Sequence, residues 1–112
     1  MERRIAVFLS RATDEAVRLA GSCALTAVSM GDRVDVYLLG EAVRAVVEGA
    51  DEEGAAKSLL SARGAGAHLF ACSQSTVEAK LGRGQAEAVL DAVVGWPTIL
   101  EWTRGVADRF FF

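Results

Sequence analysis

The stretch RIAVFLSRATDE, from Arg4 to Glu15, decides the fold. Its first seven residues are an almost continuous apolar run, rich in β-branched and aromatic side chains, which is typical of a strand buried on both faces in a parallel sheet. Thr13 or Asp14 can then cap a helix, and acidic side chains follow in the first turn, where the helix dipole favours them. This order predicts a strand, a loop and a helix.

The same order recurs along the rest of the chain. The segment from 49 to 66 is either a loop or two helical turns, and QAEAVLDAVVGW either ends a helix or contains a short strand at Val93 and Val94. The remaining predicted elements are a helix from Asp14 to about Ser29 that Gly31 ends, a strand from Val34 to Leu39, a helix from Glu41 to Glu48, a strand in AHLFAC, a helix in SQSTVEAKLG that ends near Gly82, a helix from Pro97 to Gly105 and a strand in VADRFFF. Alternating strands and helices predict a doubly wound α/β sheet with right-handed crossovers.

Length and composition predict one domain over residues 1–112, with a net charge of −3 that argues against nucleic acid as a partner. No apolar run approaches the roughly 18–20 residues of a spanning helix, and no export signal is evident, so we expect a cytoplasmic protein without a membrane partner. Two cysteines far apart and one histidine do not make a zinc site. We expect no metal and no cofactor.

Cys72 is the candidate catalytic residue. Ligands and reactive groups collect at the carboxyl ends of parallel strands, which here are followed by the loops SRATD, GE and ACSQS. Cys72 ends the third strand where a helix begins, and the unpaired N–H groups there favour a thiolate. The sequence therefore predicts an exposed, activated thiol, with a packed, unreactive cysteine as the alternative.

Three residues are candidates for supporting the thiolate. Ser73 and Ser75 can add hydrogen bonds, and Arg11 faces Cys72 if the first and third strands are neighbours, as a flavodoxin-like order requires. Cys23, in contrast, lies on the apolar stripe of the first helix, where it is interpreted as core filler.

The remaining conspicuous residues have simple interpretations. His68 is expected at the entry of the third strand, and the acidic run Asp51 to Glu53 is a solvated loop or a docking surface for a basic partner. Trp96, Trp102 and the three phenylalanines 110–112 are either core or, on one face of the last strand, a contact with another subunit.

Four segments together resemble the DsrE/DsrF-like sulfur-relay proteins, over essentially the whole chain. These are RIAVFLS, CALTAVSMGDRVDVYLLGEAV, LFACSQSTVEAKLG and VVGWPTILEWTRGVADRFFF. The most specific parts are the strand-Cys-helix segment at Cys72 and a tail pattern formed by Gly95, Leu100, Glu101, Ala107, Asp108, Arg109 and Phe110 to Phe112.

The resemblance implies a flavodoxin-like three-layer α/β/α sandwich with a mostly parallel sheet of four to five strands. It also implies a homo- or hetero-oligomer, a trimer or hexamer, and a persulfide on the cysteine that matches Cys72. Such proteins pass sulfane sulfur from donor to acceptor proteins, in relays that serve tRNA 2-thiouridine formation or dissimilatory sulfur oxidation.

Three hypotheses follow for the activity. The first is a sulfurtransferase-type carrier that loads Cys72 with a persulfide and passes the sulfur to an acceptor thiol. The second is a non-catalytic subunit of the same fold that serves assembly or binds a small ligand. The third is a thiol redox sensor in which Cys72 is oxidised to sulfenic acid.

Overall fold

Five parallel strands form one sheet in the computed structural model, which describes residues 2–51 and 53–112. Strands and helices alternate along the chain, as the sequence predicts. In chain order they are β1 (Arg4–Leu9), α1 (Asp14–Ser29), β2 (Arg33–Leu38), α2 (Glu41–Glu48), α3 (Lys57–Gly64), β3 (His68–Cys72), α4 (Ser73–Glu78), α5 (Arg83–Glu87), β4 (Ala92–Val94), α6 (Trp96–Trp102) and β5 (Asp108–Phe111).

The strand order across the sheet is β4-β3-β2-β1-β5, and every pairing between neighbours is parallel. The predicted α/β class with a parallel sheet of helix-linked strands is thus confirmed. The expectation that β1 and β3 are neighbours is wrong, because β2 lies between them and pairs Val36 with both Val7 and Leu69. β2, β3 and β4 follow one another outward from one edge of β1. β5 pairs with the opposite edge of β1.

The predicted bounds of α1 and α2 are confirmed. Thr13 is the N-cap of α1, and its side-chain oxygen accepts a hydrogen bond from the backbone N–H of Ala16 at 3.2 Å. Gly31 follows the helix with φ of +88°, a left-handed conformation that glycine adopts without a steric penalty. Local sequence therefore determines where this helix begins and ends.

The secondary structure of three segments could be assigned only from the structure. The helix after β3 ends at Glu78 rather than near Gly82, because the chain turns through Lys80 in a left-handed conformation before α5 begins. The ambiguous segment contains the short strand β4, and the segment from 49 to 66 contains α3. Of the acidic run, Asp51 and Glu53 are exposed, whereas Glu52 is outside the described residues.

One face of the sheet, which we call the helix-covered face, packs against α1, α2 and α3. Alanine and glycine let α1 lie very close to α3: a Cβ atom added at Gly21 would be 2.7 Å from the Cβ of Ser58 and 2.8 Å from the backbone nitrogen of Leu59. The strand side chains of this face are Ile5, Val7, Leu9, Val34, Val36, Leu38, Leu69, Ala71 and Val93.

The other face, which we call the aromatic face, carries a row of stacked rings across four neighbouring strands. Phe111, Phe8, Tyr37 and Phe70 lie in register, with ring centroids 4.9, 5.3 and 5.5 Å apart. Within the described residues, the helix that packs on this row is α6, through Ile99.

Most of the aromatic tail is outside the core, and Phe112 alone of the three phenylalanines is partly buried and packs against the core of the helix-covered face. Phe111 is 70% exposed, and Phe110 is also exposed, at the free edge that β5 forms. Both tryptophans are likewise exposed, at the two ends of α6. The alternative, that one face of the last strand contacts another subunit, stays a prediction.

Candidate functional site

Cys72 lies where the sequence predicts it in the backbone. It is the last residue of β3 and the N-cap of α4, and it pairs with Val94 of β4. The hydroxyl of Thr76 donates a hydrogen bond of 2.9 Å to the backbone carbonyl of Cys72, which fixes the junction between strand and helix. Cys72 therefore stands at the carboxyl edge of a parallel sheet, at the start of a helix.

The side chain of Cys72 is buried, and the prediction of an exposed thiol is wrong for the folded single chain. Cys72 is 1% exposed and belongs to the buried cluster of the aromatic face, which also contains Phe70 and Ile99. The reason is the alternation of side chains along β3: Cys72 points to the same face as Phe70, and α6 covers this face at that point. A reagent in solution reaches its sulfur atom only after these neighbours move.

The three supporting residues do not form a shell around the sulfur atom. Arg11 is exposed after β1, and β1 is separated from β3 by β2. The hydroxyl of Ser75 is buried and accepts a hydrogen bond of 2.8 Å from the backbone N–H of Gly40. Ser75 therefore ties α4 to the loop after β2, whereas Ser73 is half-buried at the start of α4.

The three loops named from the sequence do meet, around an open cleft. We call this cavity, of about 820 Å³, the carboxyl-edge cleft. Its lining is Ala12 from the loop after β1, Gly40 from the loop after β2, Glu41, Arg44, Ala45, Glu48 and Gly49 along α2 and beyond it, and Ser75, Glu78 and Ala79 on and after α4. Its size is within the range of small-molecule sites.

Arg44 crosses the carboxyl-edge cleft from α2 to the end of α4. Its guanidinium donates to the backbone carbonyl of Ala79 and lies 3.4 Å from the carboxylate of Glu48. Glu41 and Glu78 add two more carboxylates to a lining whose other side chains are small. The cleft therefore combines small apolar side chains with charged ones. This arrangement suits a ligand that has both apolar and charged groups.

Sequence reasoning missed most of this cleft. It assigned no role to Arg44, Glu48 or Glu78. A signal was present, since Glu41, Arg44 and Glu48 follow each other at spacings of three and four and form one polar stripe on α2. The missing information was the partner helix, because only the tertiary structure brings α4 opposite α2.

Cys23 differs from its interpretation as core filler. It is half-buried, and burial raises the pKa of its thiol above the ordinary value. It borders a groove of about 400 Å³ that also includes Met30 and Phe110. Cys23 therefore packs at the margin of the core, and its environment disfavours a thiolate.

No helix within residues 2–51 and 53–112 is both long and apolar enough to span a membrane.

Two solved structures share this α/β fold over nearly the whole chain. The conserved protein of unknown function BT1422 from Bacteroides thetaiotaomicron matches with a TM-score of 0.79 and 13% sequence identity, covering 97% of this chain and 94% of that one. The ychN protein from E. coli matches with a TM-score of 0.71 and 16% identity, over 100% of both chains. These likenesses establish the fold.

At the level of sequence, no protein-family model and no curated protein matches the chain.

Proposed function

We propose that this protein is a sulfur carrier that holds sulfane sulfur as a persulfide on Cys72 and passes it to the thiol of an acceptor protein. The position of Cys72 supports the proposal, because it ends β3 and caps α4 at the edge where parallel sheets collect their chemistry.

The transfer is redox-neutral and needs one cysteine. The Cys72 thiolate attacks the outer sulfur of a donor persulfide, the donor's S–S bond breaks, and the donor leaves as a thiolate. An acceptor thiolate then attacks the outer sulfur on Cys72, and Cys72 leaves as a thiolate. In each step one S–S bond forms and one breaks, as in thiol–disulfide exchange.

Burial of Cys72 adds a requirement to the proposal. Ile99 and the rings of the aromatic face cover its side chain, so donor and acceptor must meet a state in which α6 has moved away. A covered carrier has a physical use, because a persulfide that is shielded from water and free thiols loses its sulfur less readily. Local opening of a short, partly exposed helix costs much less than unfolding of the chain.

Mass spectrometry after incubation with a sulfane-sulfur donor tests the proposal. We expect a mass gain of one sulfur atom on the peptide that contains Cys72, loss of this adduct in Cys72→Ser, and retention of it in the control Cys23→Ser. An adduct confined to Cys23, or no adduct while alkylation of the denatured chain shows that Cys72 is reduced, contradicts the proposal.

The second candidate is a non-catalytic subunit that serves assembly or binds a small ligand. The burial of Cys72 favours it, since free cysteines are frequently ordinary core residues, and the carboxyl-edge cleft offers a volume of about 820 Å³. If no sulfur adduct forms, this candidate stands.

The redox-sensor alternative instead predicts a reversible gain of one oxygen atom on Cys72 with peroxide, without sulfur loading.

The proposal includes a cytoplasmic location, donor and acceptor proteins, and a homo- or hetero-oligomer, a trimer or hexamer. Exposed apolar side chains support assembly: Leu100 and Trp102 on α6, and Phe110 and Phe111 on β5. Light scattering coupled to size-exclusion chromatography gives the test. A homo-oligomer should be seen at micromolar concentration, whereas a monomer contradicts the homomeric form.

A further inference from the structure

A small cavity lies at the end of the sheet opposite to Cys72. We call it the amino-edge cavity. It has a volume of about 160 Å³, and its lining is Arg4, Arg33, Asp35, His68, Phe70 and Trp102. Arg4, Arg33 and His68 are the first residues of β1, β2 and β3, so the parallel pairing of these strands brings three basic side chains to one edge.

The cavity has a positive excess of charge. Two guanidinium groups and an imidazole surround one carboxylate, that of Asp35, whose Oδ1 lies 3.6 Å from Nδ1 of His68. Burial raises the pKa of Asp35, and the charges of His68, Arg33 and Arg4 oppose this shift. The favourable occupant is therefore an anion.

Arg4 is fixed in place before any ligand arrives. Its guanidinium donates to the backbone carbonyls of Trp102 and, at 3.1 Å, of Arg104, at the C-terminal end of α6. Arg33 is exposed, and within the described residues its side chain makes no hydrogen bond or ion pair. One cation is thus positioned by the fold and the other is available to a ligand.

We propose that the amino-edge cavity binds one small oxyanion, which accepts hydrogen bonds from Arg33 beside the fixed charge of Arg4. The volume of 160 Å³ corresponds to about five water molecules at roughly 30 Å³ each, which leaves room for a tetrahedral oxyanion together with bound water. Phe70 and Trp102 place apolar rings beside the charged groups, which lowers the local dielectric constant and strengthens the electrostatic attraction.

Calorimetric titration of the full chain with inorganic phosphate, and separately with sulfate, tests the site. Sodium chloride at the same ionic strength is the control. We expect saturable binding of one oxyanion per chain, and Arg33→Gln should weaken it by about tenfold or more, the effect of losing one hydrogen bond between charged groups. Heats equal to those with chloride, or equal affinity in Arg33→Gln, overturn the proposal.

A further variant separates binding from damage to the fold. Asp35→Asn should tighten phosphate binding, because it removes the one carboxylate of the lining. Unchanged affinity in this variant contradicts the assignment.

This site is independent of the sulfur proposal. Cys72→Ser should bind phosphate with unchanged affinity, and Arg33→Gln should still acquire sulfur on Cys72. Failure of either experiment leaves the other proposal intact.

Discussion

The two faces of the sheet differ in the side chains that they bury and in how completely helices cover them. The helix-covered face is aliphatic, and small residues let α1 and α3 interlock so tightly that a single added Cβ atom at Gly21 would collide with α3. The aromatic face has a row of flat rings that stack about 5 Å apart, with α6 on top and Phe111 exposed at the edge. The helices of the chain cover the helix-covered face except beside β5, where Phe110 is exposed, and the aromatic face leaves more of its apolar surface available for contacts.

The largest expected effect is on the helix-covered face. Leu59→Ala in α3 removes a fully buried side chain and should lower the free energy of unfolding by about 3 kcal/mol, because the interlocked helices cannot collapse into the space. Phe111→Ser is the matched change on the aromatic face. It should cost about 1 kcal/mol in a monomer, because the ring is exposed but stacks on Phe8.

Urea unfolding at a concentration where the protein is monomeric measures both variants. Equal losses of stability would show that the two faces do not differ as described. A large loss for Phe111→Ser that appears only at high protein concentration would instead place Phe111 in an interface between copies.

The next effect tests the cover over Cys72. Ile99→Ala deletes the α6 side chain that packs with Cys72 and should destabilise the protein by about 2 kcal/mol, at the low end for such a truncation because α6 is partly exposed. Alkylation of Cys72 should become faster while that of Cys23, on the other face, stays the same. An unchanged rate at Cys72 would mean that α6 does not control access to the sulfur.

A smaller effect is expected from overpacking between α1 and α3. Gly21→Ala should lower the free energy of unfolding by about 1 to 2 kcal/mol, because the new methyl group meets the backbone of α3 as well as a side chain. Gly84→Ala in α5, where a Cβ atom would have no neighbour within 4 Å, is the control and should be neutral or stabilising by about 0.5 kcal/mol. If thermal unfolding shows the two variants to be alike, the close approach of α1 and α3 is not real.

The smallest effect concerns Asp35 on the aromatic face and depends on pH. Burial raises its pKa in the folded state above 3.8, opposed by the nearby positive charges of His68, Arg33 and Arg4. A raised pKa means that the folded state binds the proton more tightly than the unfolded state does. The stability that this carboxyl group contributes is therefore present below about pH 3.9 and is lost as the pH rises through the folded-state pKa.

Asp35→Asn should remove this loss, so its stability relative to the parent should increase from acid pH upward and then level off. Unfolding curves between pH 3 and neutral pH measure the difference, and His68→Gln should move the window upward. A difference of the opposite sign would show that the charges around Asp35 outweigh its burial.

The sequence was informative about individual elements and weak on how they meet. Alternation of apolar runs and capped helices predicted the α/β class, and Thr13 and Gly31 define α1 correctly because caps act over a few residues. The β1–β3 adjacency was wrong because strand order depends on the direction of each crossover, which no local pattern records. The position of Cys72 in the backbone was predictable, but its burial was not, since α6 lies many residues further along the chain.

By itself, the sequence determined the α/β class, the bounds of the early elements and the position of Cys72 at a strand end, because periodicity, caps and turn residues are local properties. Only the tertiary structure decided which face Cys72 points to, which helices line the carboxyl-edge cleft, and that three strand-entry residues surround one cavity. These features join residues that are distant in the chain, and the parallel register of the strands brings them together.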